Sequence, residues 1–206
     1  MIGIDQSYAD TGITVSIDGK VVLVRDCKGE SKEPHTSFRL RLVKCLSKCF
    51  ASCYKKSCDL EDCKIICIIE RIRLQSGKPD RKQHFLSLDY IKSIGALNAI
   101  IVDTAAKFNI PVFSVDTRSW KSRVIGTSKP GPNPYGFPEE KWPTIKWCIA
   151  RGFEDDLIES VSLRKKKAVV EKEGRRFTYN DNKADSIGIS LYGFLPSYIQ
   201  KLEEER

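Results

Sequence analysis

Residues 1–20 read MIGIDQSYADTGITVSIDGK, and this stretch carries the strongest indication of the fold. An apolar run, Ile-Gly-Ile, ends at Asp5, which predicts a short buried strand with a carboxylate at its tip. Apolar and polar residues then alternate over 13–17 and 21–25, on either side of the Asp18-Gly19 pair. Alternation on both sides of Asp-Gly is typical of a β-hairpin. The chain therefore opens with a buried strand and two antiparallel strands.

The rest of the chain alternates helical and strand-like patterns. The predicted elements are a helix over 36–54, a strand over 64–69 ending at Glu70, a helix over 83–108, a strand over 111–115, a helix over 139–152 and a last helix from Asp181. Loops are predicted at 26–35, 71–82 and 126–138, and residues 162–179 form either a hairpin or a mobile loop. Alternating strands and helices imply a sheet with helices on its faces.

Composition limits the class of protein. With 206 residues and a hydrophobic share of 41%, the chain is long enough for one domain with a buried core. Lys and Arg outnumber Asp and Glu by 35 to 27, and the resulting charge of +8 fits an acidic partner such as nucleic acid as well as it fits a plain basic protein. No apolar run of membrane-spanning length and no signal-peptide pattern are present, so we expect an intracellular, cytoplasmic protein, of a host cell if it is viral, with no membrane partner.

Eight cysteines raise the question of a metal site. Cys45, Cys49 and Cys53 recur every four residues, in step with leucines and a phenylalanine, on one face of the first helix. A structural zinc site would usually show a CxxC pair, which the chain lacks. These thiols are therefore interpreted as reduced packing residues in a core or an interface.

Acidic residues follow two separate buried strands and begin the last helix. Asp5 and Glu70 end the strands, and the helix starts with NDNKAD, in which Asp181 and Asp185 share a face. Singly, each acid also fits a turn, a surface ion pair or a helix cap. Carboxylates that meet at one sheet edge repel one another unless cations neutralise them, which favours two Mg²⁺ ions, with Mn²⁺ as a substitute. One ion would activate a water and the other would stabilise the leaving oxygen of a phosphodiester.

Four stretches occur in an informative order: GIDQSYADTG; IICIIE followed by SLDYIKSIGALNAIIVDTAAKFNIPVFSV; TRSWKSRVIG with EEKW; and DNKADSIGISLYG. Together they resemble the RuvC family of Holliday-junction resolvases, and the KADS version is similar to the mitochondrial, poxviral and phage branch. The resemblance implies an α/β, ribonuclease H-like mixed five-stranded sheet flanked by helices on both faces. It also implies a single RuvC-like nuclease domain over 1–206, with insertions at 126–138 and 162–179.

The resemblance assigns catalytic, metal-binding roles to Asp5, Glu70 and Asp185. Bacterial members have a further acid three residues before the last of these, where this chain has Asn182. Either Asp181 supplies the fourth carboxylate from the adjacent position, or Asn182 serves as a neutral ligand, and the first option is favoured.

The resemblance also places Lys121 and Lys141 beside the scissile phosphate, where their charge stabilises the transition state. Bacterial members carry an aromatic residue where this chain has Arg73, so a junction-opening role of that residue does not transfer. The residues predicted to bind DNA phosphates are Arg71, Arg73, Lys78, Arg81, Lys82, Arg118 and Arg123. Three tryptophans are interpreted as packing residues rather than base-stacking platforms: Trp120, Trp142 and Trp147.

The implied activity is a Mg²⁺-dependent, structure-selective endodeoxyribonuclease that resolves Holliday junctions and other branched DNA, such as flaps and forks, in recombination and repair. It would leave 5′-phosphate and 3′-hydroxyl ends and act as a homodimer, since a junction needs two symmetric cuts. The alternatives are a broader flap or debranching nuclease of the same fold, and a catalytically silent junction-binding protein, which Asn182 keeps open. A ribonuclease H acting on hybrids shares the acids, but the lysine motif argues against it.

Overall fold

The structure is a computed structural model that describes residues 1–30, 33–57, 64–71, 88–126, 132–160 and 168–199. Its strands are β1 (Ile2–Asp5), β2 (Asp10–Ile17), β3 (Lys20–Lys28), β4 (Cys67–Glu70), β5 (Val112–Val115), β6 (Ile158–Ser160), β7 (Val170–Lys172) and β8 (Arg175–Tyr179). Its helices are α1 (His35–Ser57), α2 (Leu88–Ala106), α3 (Thr117–Trp120), α4 (Trp142–Ala150), α5 (Glu154–Leu157) and α6 (Asp181–Tyr192), with a π-helical turn at Lys121–Ile125. Nearly all of the predicted loop 71–82 lies outside the described residues, as do the start of the predicted helix 83–108 and parts of 126–138 and 162–179.

Five strands form the main sheet, in the order β3-β2-β1-β4-β5. The first three pair antiparallel, whereas β4 runs parallel to β1 and to β5. Because Ile4 of β1 lies opposite Ile69 of β4, the carboxyl ends of these two central strands meet at one edge. That register places Asp5 and Glu70 side by side, one at the end of each strand.

Helices cover both faces of this sheet, as predicted. Alternate side chains of β4 show the division: Cys67 and Ile69 pack in a core with α1 and α2, whereas Ile68 packs in another with Trp120 and Ile189 of α6. A buried parallel sheet needs cover on both faces, so its strands are apolar on both sides. The predicted mixed five-stranded α/β sheet with helices on both faces is confirmed.

Helix α6 lies unusually close to β1 and β2, because small residues face one another. A Cβ atom at Gly3 or Gly12 would overlap the backbone of α6. Two buried hydroxyl pairs join the layers beside these glycines, Thr14 with Ser186 at 2.8 Å and Ser16 with Ser190 at 2.8 Å. This close packing sets the position of the N-terminal end of α6 relative to the tip of β1.

A second sheet of three strands, in the order β6-β8-β7, stands beside the first. Strands β7 and β8 form a hairpin whose turn residues, Glu173 and Gly174, have φ angles of 53° and 72°. For residues 170–179 the structure therefore selects the hairpin over the mobile loop. Phe177 and Tyr179 of β8 pack with Trp142 of α4 in a separate core.

Several boundaries differ from the sequence prediction. Strand β3 continues to Lys28, into the predicted loop 26–35, because Asp10 opposite it extends the antiparallel ladder. The short elements α3, α5, β6 and the π-helical turn were not predicted, since segments of three to five residues carry too little periodicity. The packing interpretation of the thiols is confirmed for Cys49 and Cys53, which are buried in the core against α2 and the sheet. Within the described residues, none of the helices is long and apolar enough to span a membrane.

Candidate active site

Four carboxylates from three distant parts of the chain lie together at the edge where β1 and β4 end. Asp5 is 9% exposed. Burial raises the pKa of Asp5 well above its ordinary value, and the carboxylates of Asp185, Glu70 and Asp181 raise it further. Because these three charges all act on one buried carboxyl, the edge holds a concentrated negative charge.

Asp185 lies on the second turn of α6, one turn after Asp181. Burial raises the pKa of its carboxyl to about 6, and Glu70 adds to this effect, whereas Lys121 and the Thr144 hydroxyl lower it. One oxygen, Oδ2, accepts a hydrogen bond from Lys121 Nζ at 3.2 Å. The other, Oδ1, is buried and makes no well-aligned hydrogen bond within the described part of the chain. A buried oxygen in this state is a ready ligand for a cation.

Two lysines face the carboxylates. Lys121 begins the π-helical turn, and Lys141 precedes α4 and forms an ion pair with Asp181. Burial works against the charge of Lys141, but the hydrogen bond to Asp181 and the nearby charges of Asp185 and Asp5 raise its pKa overall. Both ammonium groups therefore belong to the same cluster as the acids.

Glu70 is held by its neighbours at both ends. Its backbone carbonyl accepts a hydrogen bond from Gln6 Nε2 at 2.6 Å. Its Oε1 atom accepts one from the indole Nε1 of Trp120 at 3.4 Å. Sequence reasoning treated Trp120 as a packing residue only; its full burial is confirmed, but the contact with Glu70 was not anticipated.

The two candidates for the fourth ligand make different contacts. Asp181 acts electrostatically on Asp5 and pairs with Lys141, at the carboxylate cluster. The side-chain amide of Asn182 instead donates to the backbone carbonyl of Asp10 on β2. Asn182 is thus engaged in holding α6 to the sheet.

Three of the residues predicted to bind DNA are described, and all are exposed: Arg71, Arg118 and Arg123. Arg71 directly follows Glu70, and its Nε donates to Ser114 Oγ at 3.3 Å. The remaining predicted DNA contacts lie outside the described residues: Arg73, Lys78, Arg81 and Lys82.

A second group of acids was missed by sequence reasoning. Asp10, Asp26 and Glu159 each offer an oxygen, and these oxygens lie within 4.8 Å of one another, a spacing compatible with a cation. Lys28 Nζ already pairs with Glu159 at 2.7 Å and with Asp26 at 3.3 Å, and Lys183 Nζ lies 3.5 Å from Asp26. The one sequence signal was an acid at the start of β2, which resembles any turn residue.

Asn180 joins this group to α6. It caps the helix by accepting from the Lys183 backbone N–H at 3.0 Å. Its Nδ2 donates to Asp10 Oδ2 at 2.6 Å and also to Glu159. The network therefore ties β2, β6 and the acid-bearing end of α6 together.

A mixed sheet of this order, with helices on both faces and acids at the ends of β1 and β4, defines a ribonuclease H-like α/β protein. Among solved structures, the chain resembles RuvC of Thermus thermophilus, with a TM-score of 0.55, 13% sequence identity, and coverage of 98% of this chain and 95% of that one. It also resembles T. thermophilus RuvC in complex with Holliday junction substrate, with a TM-score of 0.53, 12% identity, and coverage of 98% and 94%. No protein-family model and no curated protein matches the sequence. The fold is thus RuvC-like over nearly the whole chain.

Proposed function

We propose that the chain is a divalent-metal-dependent, structure-selective endodeoxyribonuclease that resolves four-way DNA junctions. The observation that carries this proposal is the convergence of four carboxylates and two lysines at one edge of a RuvC-like fold. The structural neighbour in complex with Holliday junction substrate supports branched DNA as the substrate class. The charge of +8 fits a polyanion.

The carboxylates fit divalent cations by their donor chemistry and by their charge. Among the described residues, the four carboxyls, when all are ionised, exceed the two ammonium groups by two negative charges. The raised pKa of Asp5 and the buried Oδ1 of Asp185 show that this charge is not fully compensated by the protein. Mg²⁺ and Mn²⁺ prefer such oxygen ligands, and we assign them to Asp5, Glu70, Asp185 and Asp181. When bound, two such ions supply an activated water and stabilisation of the leaving oxygen.

The lysines have a separate task. Lys121 and Lys141 hold positive charge at the same edge through their pairs with Asp185 and Asp181. In that position they stabilise the charge that develops on the phosphate in the transition state. The exposed Arg71, Arg118 and Arg123 bind flanking phosphates and position the backbone. By the family resemblance, we propose that hydrolysis leaves 5′-phosphate and 3′-hydroxyl ends.

The proposal also includes the oligomeric state, the domain organisation and the cellular location of the protein. Two symmetric incisions require two active sites, so we propose a homodimer, with exposed apolar side chains of α1 and α2, such as Leu40, Tyr54 and Val102, as contact surface. The chain forms one nuclease domain, with insertions at 126–138 and 162–179, and acts inside the cell. We further propose that it belongs with the mitochondrial, poxviral and phage branch of RuvC-like enzymes, which its KADS motif resembles.

The direct test is cleavage of synthetic four-way junctions, flaps, forks, RNA–DNA hybrids and plain duplex, with and without Mg²⁺. We expect paired symmetric nicks in junctions, only with metal, and loss of product in Asp5→Asn. Asp155→Asn, at an exposed carboxylate of α5, is the matched control and should cut like the unmodified protein. Equal cutting of flaps would favour the broader nuclease. Binding of junctions without product under any metal would leave only the silent binding protein.

The fourth ligand is tested by substituting each of the two candidate residues separately. Asp181→Asn should reduce cleavage at least tenfold, whereas Asn182→Ala should retain activity with some loss of stability, because Asn182 donates to the β2 backbone. Full activity in Asp181→Asn would refute the assignment.

A further inference from the structure

We propose that Trp120 is a positioning residue for the metal-binding carboxylate of Glu70 and for Lys121, and not only a core residue. The inference rests on the proposed function, because it gives a role to a group that touches a proposed ligand. Sequence patterns favoured a packing role for Trp120 over a base-stacking role. Three independent contacts in the structure add the positioning role.

The first contact is polar. Trp120 is fully buried, and its single polar side-chain atom, Nε1, donates to Glu70 Oε1 at 3.4 Å. An indole N–H donates one hydrogen bond and cannot accept one. Where that bond goes to a carboxylate at the end of β4, it restricts the rotation of the carboxylate and selects which oxygen faces the cluster. Metal ligands of this kind are commonly oriented by such a second contact.

The second contact is with the neighbouring lysine. Lys121 Nζ lies 5.1 Å from the centroid of the Trp120 ring, within the range of a cation–π interaction. The same ammonium group donates to Asp185 at 3.2 Å. The indole face and Asp185 thus hold Lys121 from two directions.

The third contact explains why the indole can occupy this place. A Cβ atom at Gly188 of α6 would overlap the Trp120 ring, so the helix admits the indole only because residue 188 is glycine. Gly188 lies three residues after Asp185, on the same helix. A π-helical turn starts directly after Trp120, and such turns are frequent at functional sites. One rigid ring therefore contacts β4, α6 and the lysine-bearing turn.

The sharpest test removes the N–H and preserves the ring. Replacing Trp120 by β-(3-benzothienyl)alanine exchanges the indole N–H for sulfur with nearly unchanged shape. We expect Mn²⁺ binding to weaken about 3- to 10-fold, a modest loss, because the hydrogen bond from Trp120 to Glu70 is long at 3.4 Å. Binding is measured in the full-length protein by the electron paramagnetic resonance signal of free Mn²⁺. The Mn²⁺ concentration for half-maximal junction cleavage should rise by the same factor, with the rate at saturating Mn²⁺ nearly unchanged.

The matched control is the same replacement at Trp147, on the partly buried face of α4. It should leave Mn²⁺ affinity unchanged. Unchanged affinity in the Trp120 variant, with its thermal unfolding also unchanged, would overturn the positioning role while leaving the nuclease proposal intact. Weakened Mn²⁺ binding in a protein that cuts no DNA would support the positioning role and refute the nuclease. Absence of saturable Mn²⁺ binding in the unmodified protein would refute both.

Discussion

Asp10 offers a demanding test of the electrostatics, because the fold holds its carboxyl at an energetic cost. The side chain is 9% exposed, and burial, Asp26 and Glu159 together raise its pKa from 3.8 to about 6, against the lowering effects of Asn180 and Lys28. Its Oδ1 atom is buried and has no hydrogen-bond partner within the described residues. Ionised Asp10 therefore destabilises the folded protein near neutral pH.

The magnitude follows from linkage between proton binding and folding. A pKa raised in the folded state means that the contribution of Asp10 is most favourable below its unfolded pKa and is lost as the pH rises through about 6. The full shift corresponds to about 3 kcal/mol, and we halve it for solvent screening, which leaves about 1.5 kcal/mol. Asp10→Asn keeps an oxygen for the Asn180 amide and removes the charge. We expect it to raise the free energy of unfolding by about 1 to 2 kcal/mol at pH 7.5 and by little at pH 4.5.

The assay is urea unfolding followed by tryptophan fluorescence across that pH range, with EDTA present so that no cation occupies the Asp10, Asp26 and Glu159 group. Asp155→Asn, at an exposed carboxylate, serves as the control and should change the unfolding free energy by less than about 0.5 kcal/mol. A stability change in Asp10→Asn that is the same at both pH values would refute the reasoning. Destabilisation confined to neutral pH would show that the Asp10 charge is favourable instead.

Three further predictions concern the active site and its support. The rate of metal-dependent cleavage, measured against pH, should increase through about pH 6 as Asp185 loses its proton. Because protons and Mg²⁺ compete for the carboxylate, a tenfold rise in the Mg²⁺ concentration should lower the midpoint by about one pH unit. A midpoint that does not change with Mg²⁺ would contradict this competition. Gly12→Ala should destabilise the protein by about 3 kcal/mol in urea unfolding, because its Cβ would overlap the carbonyl of Asn182, and a neutral effect would show that α6 can shift. Ser16→Ala should cost about 1 kcal/mol, because it removes the hydrogen bond with Ser190, whose hydroxyl keeps its bond to the Ile187 carbonyl at 2.9 Å. The double variant with Ser190→Ala should cost less than the sum of the two single variants, and additive losses in the cycle would exclude coupling.

Much of the fold was readable from the chain because its signals are local. The alternation around Asp18-Gly19 and the apolar run before Glu70 depend only on neighbouring residues. The predicted hairpin forms, and the predicted buried strand over 64–69 forms as Cys67–Glu70, three residues shorter at its start. Strand β6 was missed because its three residues acquire a strand conformation only by pairing with β8. Sequence periodicity cannot report a partner that lies about twenty residues away.

For the candidate site too, the sequence predicted some features and not others. Asp5, Glu70 and Asp185 were singled out by their positions at element ends and by family resemblance, and the structure brings them to one edge. The contacts around them were not readable: the indole of Trp120 on Glu70, and the amide of Asn180 on Asp10. Such contacts depend on distances of a few ångströms between segments far apart in the chain.

The sequence by itself determined the order of the main strands and helices and the identity of the acids, because hydrophobic periodicity and residue chemistry are encoded locally. Only the tertiary structure decided that Asp181 faces the carboxylate cluster while Asn182 binds the backbone of β2. These residues are adjacent on a helix and differ in direction by about 100°. Which of the two side chains points to the tip of β1 is set by the rotation of α6 about its axis, and the close contacts of α6 with Gly3 and Gly12 in the packed layers fix that rotation.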